Sequence, residues 1–191
     1  MLISLNGPPQ IIGLVENIKY PPHDDLYVVK EFVDTDLYRV ISTTSQEITI
    51  PHIQYLVKQL LGAVKAMHDI GIIHWDIKPD NILVSKDCQL RLTGFSYAAQ
   101  VNSTRTWDGA RSPTMSSNTW YFPPEILLQN IVVPDLSTDM FAVGLVIAEL
   151  IIRKPLFPGT SIINQIHYIT QFTGYTVGQD LGYSIENDAA I

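Results

Sequence analysis

Between Ile73 and Leu83 the chain reads Ile-His-Trp-Asp-Ile-Lys-Pro-Asp-Asn-Ile-Leu, which gathers a histidine, two carboxylates, an ammonium and a carboxamide into one short stretch. A carboxylate such as Asp76 can orient a hydroxyl and accept its proton. An ammonium such as Lys78 can offset negative charge on a reacting group, and the amide oxygen of Asn81 can help hold a hard cation. Magnesium, the obvious such cation, takes oxygen ligands in near-octahedral geometry, normally with a carboxylate among them. Taken singly, an Asp, Lys or Asn in a loop is ordinarily a solvated turn residue. The spacing, and the elements on either side, lift this stretch above that reading.

A helix is expected before it. From Pro51 to His68 the apolar residues Ile53, Leu56, Val57, Leu60, Leu61, Val64 and Met67 recur at intervals of three and four, making one continuous stripe. Pro51 suits a first turn, where its missing N–H costs nothing, and Gly71 ends the segment. After the stretch, Asn81–Val84 and Gln89–Leu92 read as short strands around a turn at Ser85–Cys88. Near the start, Gln10–Val15 and Leu26–Phe32 read as a hairpin, with a polar break at Glu16–Asn17 after the first run and a turn at Pro21–Asp25. Gln100–Ser117 reads as a long polar loop, of the kind that is usually functional or mobile. Ser137 is the expected N-cap of a helix reaching about Ile152, with Arg153 and Lys154 favouring its C-terminal dipole and Pro155 stopping it. A further amphipathic helix is expected over Ser161–Phe172, and Gly174–Ile191 shows no period and is expected to be poorly ordered.

Composition narrows the partners. Apolar residues are 46% and charged residues 16%, which excludes a disordered tail. A formal charge of -7 argues against broad binding to nucleic acid or anionic lipid. The lone Cys88 excludes an internal disulfide framework and fits a reducing cytosol or nucleus. The opening residues lack a basic leader, and the apolar run Phe141–Ile152 is too short to cross a bilayer, so a buried core helix is expected there. The sequon Asn102-Ser103-Thr104 carries no weight in a chain with no export signal.

His74, Asp76, Lys78, Pro79 and Asn81 together resemble the protein-kinase catalytic loop, H-R-D-x-K-P-x-N. Five fixed positions recur by chance in a chain of this length on the order of once in 10,000 sequences. Further stretches resemble the same family in the same order. Leu26–Tyr38 is similar to the fifth strand, hinge and following helix start of mitogen-activated protein kinases, and Trp120-Tyr121-Phe122-Pro123-Pro124-Glu125 to their W-Y-R-A-P-E. Ser137–Gly144 resembles D-x-W-S-x-G, and Arg153–Gly159 resembles R-x-P-x-F-P-G. The hinge and F-P-G patterns point to the mitogen-activated or cyclin-dependent branch, the first being favoured.

The resemblance implies roles. Asp76 would orient the substrate hydroxyl and accept its proton, Lys78 would offset charge on the transferring phosphoryl, and Asn81 would be the magnesium ligand. Backbone at Glu31 and Val33, with Leu83, would receive the nucleotide, and Asp139 would anchor the loop backbone from the start of the central buried helix. The cofactors implied are ATP and magnesium; the partners implied are ATP and a protein of a signalling pathway, with no nucleic acid and no membrane.

The departures from the pattern decide what is expected of it. Gly94, in Thr93-Gly94-Phe95-Ser96, stands where the magnesium-binding aspartate of D-F-G belongs, and glycine offers no side-chain oxygen. Trp75 replaces the arginine that pairs with activation-loop phosphate, and the T-x-Y pair, expected near Pro113-Thr114-Met115, lacks its tyrosine. Ser112-Pro113 reads as a turn before it reads as a phosphosite. Lys30, at the gatekeeper position, must point outward or disfavour adenine. No Gly-rich loop or V-A-I-K lysine is present, Met1–Leu5 resembles the end of the small-lobe helix, and the arginine expected to pair with Glu125 is absent. An incomplete gene model or fragment is as consistent with this as an evolved protein, and the apolar faces so uncovered should be exposed.

The expected fold class is α+β, mostly α: a kinase-like large lobe (34–191) with two remnant small-lobe strands and a hinge (1–33). The expected function is that of a mitogen-activated protein-kinase-like serine/threonine kinase with impaired ATP-dependent phosphoryl transfer and weak or no ATP binding. The alternatives are an active kinase from a truncated gene model and a non-catalytic docking or decoy module for kinase partners.

Overall fold

The computed structural model describes residues 8–19, 25–43, 47–101, 107–108, 117–128, 131–132 and 135–174. Two helices carry the core of a mixed α/β fold. Helix α2 (Ile50–His68) buries Ile53, Leu56, Leu60, Ala63, Val64 and Met67, and helix α4 (Leu136–Ile152) buries Ala142, Val143, Leu145, Val146 and Leu150 in the same cluster. The two pack on each other, as the periodicity of α2 requires. The stripe is narrower than expected: Val57 is half-buried and Leu61 exposed, because the partner helix covers only the Ile53–Met67 side.

Helix α2 is preceded by Thr49, whose N–H donates to His52 Nδ1 at 3.3 Å, and Pro51 lies in its first turn. Helix α4 corrects the expected cap. Asp135, not Ser137, is the N-cap, and its Oδ1 accepts the Ser137 N–H at 2.9 Å. A carboxylate there both satisfies that donor and meets the positive end of the helix dipole. Arg153 closes α4 in the left-handed region, with φ 61°.

The hairpin forms with a different first strand. β1 (Leu14–Lys19) pairs antiparallel with β2 (Leu26–Lys30), with a register shift between Leu14 and Glu16. The expected break at Glu16–Asn17 is therefore strand. Ile11 and Ile12 do not join the hairpin; they are buried, and Ile12 N–H donates to the Leu92 carbonyl at 3.0 Å. The core claims the two isoleucines, while polar residues cost nothing in a hairpin whose β2 is exposed along its whole length. Exposed Leu26, Tyr27, Val28, Val29 and Phe32 agree with the uncovered apolar face expected there.

A three-stranded antiparallel sheet orders β3 (Thr35–Asp36), β5 (Ile82–Val84) and β6 (Leu90–Leu92), with β5 central. Helix α1 (Leu37–Ser42) follows β3 directly, capped by Asp36, whose Oδ1 accepts the Arg39 N–H at 2.8 Å. β4 (Ile72–Ile73) pairs with β7 (Ala99–Gln100). β8 (Trp107–Asp108) pairs with β9 (Ile131–Val132), so part of the expected loop Gln100–Ser117 is strand; most of the rest lies outside the described residues. A 3-10 turn (Ser117–Tyr121) leads to helix α3 (Pro124–Leu128). Helix α5 (Ile162–Thr173) is capped by Ser161 and ends at Gly174, whose φ of 74° favours glycine. The segment Met1–Leu5 and residues 175–191 also lie outside the described residues. Among the described residues no helix is long and apolar enough to cross a membrane.

Candidate active site

The chain leaves α2 through Asp69–Gly71, turns at Gly71 with φ 71°, and enters β4, which delivers His74 to the loop that follows. That loop hangs from a single carboxylate. Asp139, 1% exposed in the first turn of α4, accepts His74 N–H on Oδ2 and Trp75 N–H on Oδ1, both at 2.8 Å. His68 Nε2 lies 2.9 Å from the same Oδ2. The anchoring expected of Asp139 is thus present, with both oxygens used.

His74 is fully buried, and its ring spans the loop. Nε2–H donates to the Thr93 carbonyl at 2.8 Å, while Nδ1 accepts the Asp76 N–H at 3.2 Å. Only the neutral ring can do both. Burial pushes its pKa below 6.5, against the pull of Asp139. The unfolded histidine takes up a proton near 6.5 and the folded one resists it, so stability contributed by His74 is present above 6.5 and is lost as pH falls from there toward the folded-state value. Urea midpoints should therefore drop below pH 6.5, by up to about 1.4 kcal/mol per unit in unfolding free energy. A His74→Gln chain with the same acid slope would refute this assignment.

Asp76, Lys78 and Asn81 come together, as their spacing requires. Lys78 Nζ lies 3.0 Å from Asp76 Oδ1, both side chains being 11% exposed. Asn81 follows in a 3-10 turn (Pro79–Asn81), and its Nδ2 donates to Asp76 Oδ2 and to the Asp76 carbonyl, each at 2.7 Å. Both Asp76 oxygens are therefore engaged by its own loop. Gly94 stands beside this group with φ 85°. A Cβ placed on it would fall within 3.0 Å of Cγ, Oδ1 and Nδ2 of Asn81, so the carboxamide occupies the space a side chain at 94 would need. Phe95 packs on the core, its ring 4.9 Å from that of His74.

The other site candidates, Glu31, Val33 and Leu83, follow β2 or lie on β5. The Glu31 carboxylate accepts Gly13 N–H and Arg91 Nε–H through Oε1, each at 2.9 Å, and Glu31 N–H donates to the Gly13 carbonyl at 3.1 Å. Leu83 is half-buried on β5 opposite Arg91, which links it to Glu31, and Val33 is half-buried. Lys30 is exposed, the outward alternative. Three contacts were not foreseen. Arg91 and Glu31 are sixty positions apart, and nothing in their local pattern marks them as partners. Tyr121 O–H donates to Glu149 Oε2 at 2.6 Å, and burial raises the pKa of both groups. Trp120 Nε1–H donates to the Gly159 carbonyl at 2.9 Å, joining two of the stretches that carried the resemblance.

Trp75 adopts φ 63° with its side chain 5% exposed. A left-handed non-glycine residue costs about 1–2 kcal/mol, which the two oxygens of Asp139 offset by holding the successive N–H groups of His74 and Trp75.

The protein kinase domain family model matches residues 1–188. "Extracellular signal-regulated kinase 1" of Candida albicans is 33% identical over 180 residues, covering 94% of this chain and 42% of the relative. "Mitogen-activated protein kinase 4" of Oryza sativa subsp. japonica is 37% identical over 182 residues, covering 92% and 47%, and "Mitogen-activated protein kinase p38a" of Drosophila melanogaster is 36% identical over 173 residues, covering 91% and 43%. The chain spans less than half the length of these relatives. With its loop hung from Asp139 and its family match running almost end to end, this chain belongs to the protein kinase domain family and is similar to mitogen-activated protein kinases.

Proposed function

We propose that this chain is a mitogen-activated protein-kinase-like protein whose transfer of phosphate from ATP to protein hydroxyls is impaired, with Asp76, Lys78 and Asn81 as its residual catalytic loop. In this reading residues 1–33 are a small-lobe remnant and hinge, residues 34–191 belong to the large lobe, and the lone thiol of Cys88 suits the cytosol or nucleus. The observation that carries it is the Gly94–Asn81 contact. Protein kinases clamp the triphosphate with magnesium held by an aspartate and an asparagine. Here position 94 has no side-chain oxygen, which leaves Oδ1 of Asn81 as the one side-chain donor kept of that pair, while both Asp76 oxygens are engaged by Asn81 Nδ2 and Lys78 Nζ. Among the described residues no group of three His, Cys, Asp or Glu could hold a metal. This donor set does not fit a magnesium–triphosphate clamp, and loss of one preorganised electrostatic group typically costs about 3–4 kcal/mol at a transition state. Glu31 N–H is committed to the Gly13 carbonyl, so the Glu31 carbonyl and the backbone at Val33, beside Leu83, are the contacts through which a nucleotide would bind weakly. Purified chain incubated with labelled ATP, magnesium or manganese and a basic protein substrate should give no transfer above background; transfer that disappears on Asp76→Asn would overturn the reading.

A second reading, a docking or decoy module, draws support from a groove of about 300 Å³ lined by Val40, Ile48, His52, Leu56, Val84 and Cys88, with Asp34 and Glu47 also on its wall. A kinase-pathway partner held with unchanged affinity by Asp76→Ala and Lys78→Ala chains, and released by Ile48→Asp, is the result expected of it. Equal loss of affinity in the Asp76→Ala chain would count against it.

A further inference from the structure

We propose that Glu31 and Arg91 form a latch at the root of the β1–β2 hairpin, which when closed holds the hairpin rigidly on the rest of the fold and when open lets it swing as one paired unit. Gly13 immediately precedes β1 and Glu31 immediately follows β2, so these two residues are the root. Both meet at one carboxylate. Glu31 Oε1 accepts Gly13 N–H at 2.9 Å, and Glu31 N–H donates to the Gly13 carbonyl at 3.1 Å, which closes the root on itself. The same Oε1 accepts Arg91 Nε–H at 2.9 Å, and Arg91 Nη1–H donates to the Leu90 carbonyl at 3.0 Å. Arg91 lies in β6, an outer strand of the three-stranded sheet. One side chain therefore ties both ends of the hairpin to the body of the fold. One residue earlier the chain already belongs to that body, since Ile12 is buried and its N–H donates to the Leu92 carbonyl. Gly13 is thus the point of release.

The hairpin has need of such a tie. Among the described residues its sheet holds these two strands alone, and β2 is exposed along its whole length, so burial does little to fix its orientation. The tie is also of a kind that opens. The side chains of Arg91 and Glu31 are 25% and 35% exposed, so dissolved ions reach the pair and screen it. The guanidinium orients the carboxylate whose oxygen holds Gly13 N–H, so losing the first bond weakens the second. The bond from Glu31 N–H to the Gly13 carbonyl uses backbone alone and travels with the hairpin. The latch works alike whether or not the chain transfers phosphate.

Nuclear magnetic resonance on the full chain tests it. Arg91→Met should speed hydrogen exchange at the Gly13 N–H by about fivefold, while Glu31 N–H and the cross-strand amides of β1 and β2 keep their protection. Order parameters, which read picosecond-to-nanosecond motion, should fall together in β1 and β2 with those of α2 unmoved. Near-molar salt should do the same to the parent chain and nothing more to Arg91→Met, and it supplies the reading should the variant not fold. Glu31→Gln, which keeps an oxygen for Gly13 but no charge for Arg91, should match Arg91→Met, and the double variant should add nothing. A Gly13 N–H that keeps its rate in both variants and in salt, or a loss of order shared equally by α2, would overturn the latch. So would exchange that quickens throughout the hairpin, which means unpairing rather than swinging.

Discussion

Asp139→Ala should lower the stability of this chain by about 4 kcal/mol or more, a large share of what a domain of this size possesses. The carboxylate is 1% exposed and serves His74 N–H, Trp75 N–H and His68 Nε2–H at once. Alanine leaves two backbone donors buried with nothing to bond, each costing about 1–3 kcal/mol, and strands a histidine beside them. It also removes what holds Trp75 in its left-handed conformation. Asn at 139 keeps one carbonyl oxygen but turns an N–H2 donor toward the other amide, so about half the loss should remain. Urea unfolding followed by tryptophan fluorescence reads both variants. Midpoints within error of the parent for Asp139→Ala would mean that the loop is held by something other than this carboxylate.

That anchor was legible before the structure only through the family resemblance, which implies such a carboxylate at the start of the central helix. The α2 helix was legible for a simpler reason: its stripe repeats over five turns, and its apolar residues have nowhere else to go. Shorter signals were weaker. Asp135 and Ser137 are both good caps, and choosing between them needs the backbone angles that only the folded chain supplies. Glu16 and Asn17 read as a break because strand propensity assumes one buried face, whereas β1 has almost none. Glu31 and Arg91 meet only because the segment after β2 returns to β6, a consequence of topology rather than of either local pattern. The absence of a carboxylate at position 94 was visible in the sequence; that the Asn81 carboxamide lies where a side chain at 94 would go was not, since it depends on a side-chain direction.

Gly94→Asp should fail to create phosphotransfer and should instead destabilise the chain by about 2–4 kcal/mol. The substitution looks like a repair, yet two features oppose it. Gly94 sits at φ 85°, where an aspartate carries a backbone penalty that glycine does not. Its new Cβ would fall on the carboxamide of Asn81, which must swing away and give up its bonds to Asp76 Oδ2 and the Asp76 carbonyl. The colliding atoms are Cγ, Oδ1 and Nδ2 of Asn81, all of which alanine lacks. Asn81→Ala should therefore be destabilising alone but should make Gly94→Asp cheaper, so the double variant should be more stable than the sum of the singles predicts by about 1 kcal/mol or more. Additive losses would mean that the two positions do not compete for space. Measured phosphotransfer in Gly94→Asp, absent from Gly94→Ala and lost again with Asp76→Asn, would mean that Asn81 yields to a carboxylate readily and that one missing oxygen is all that separates this chain from an active site.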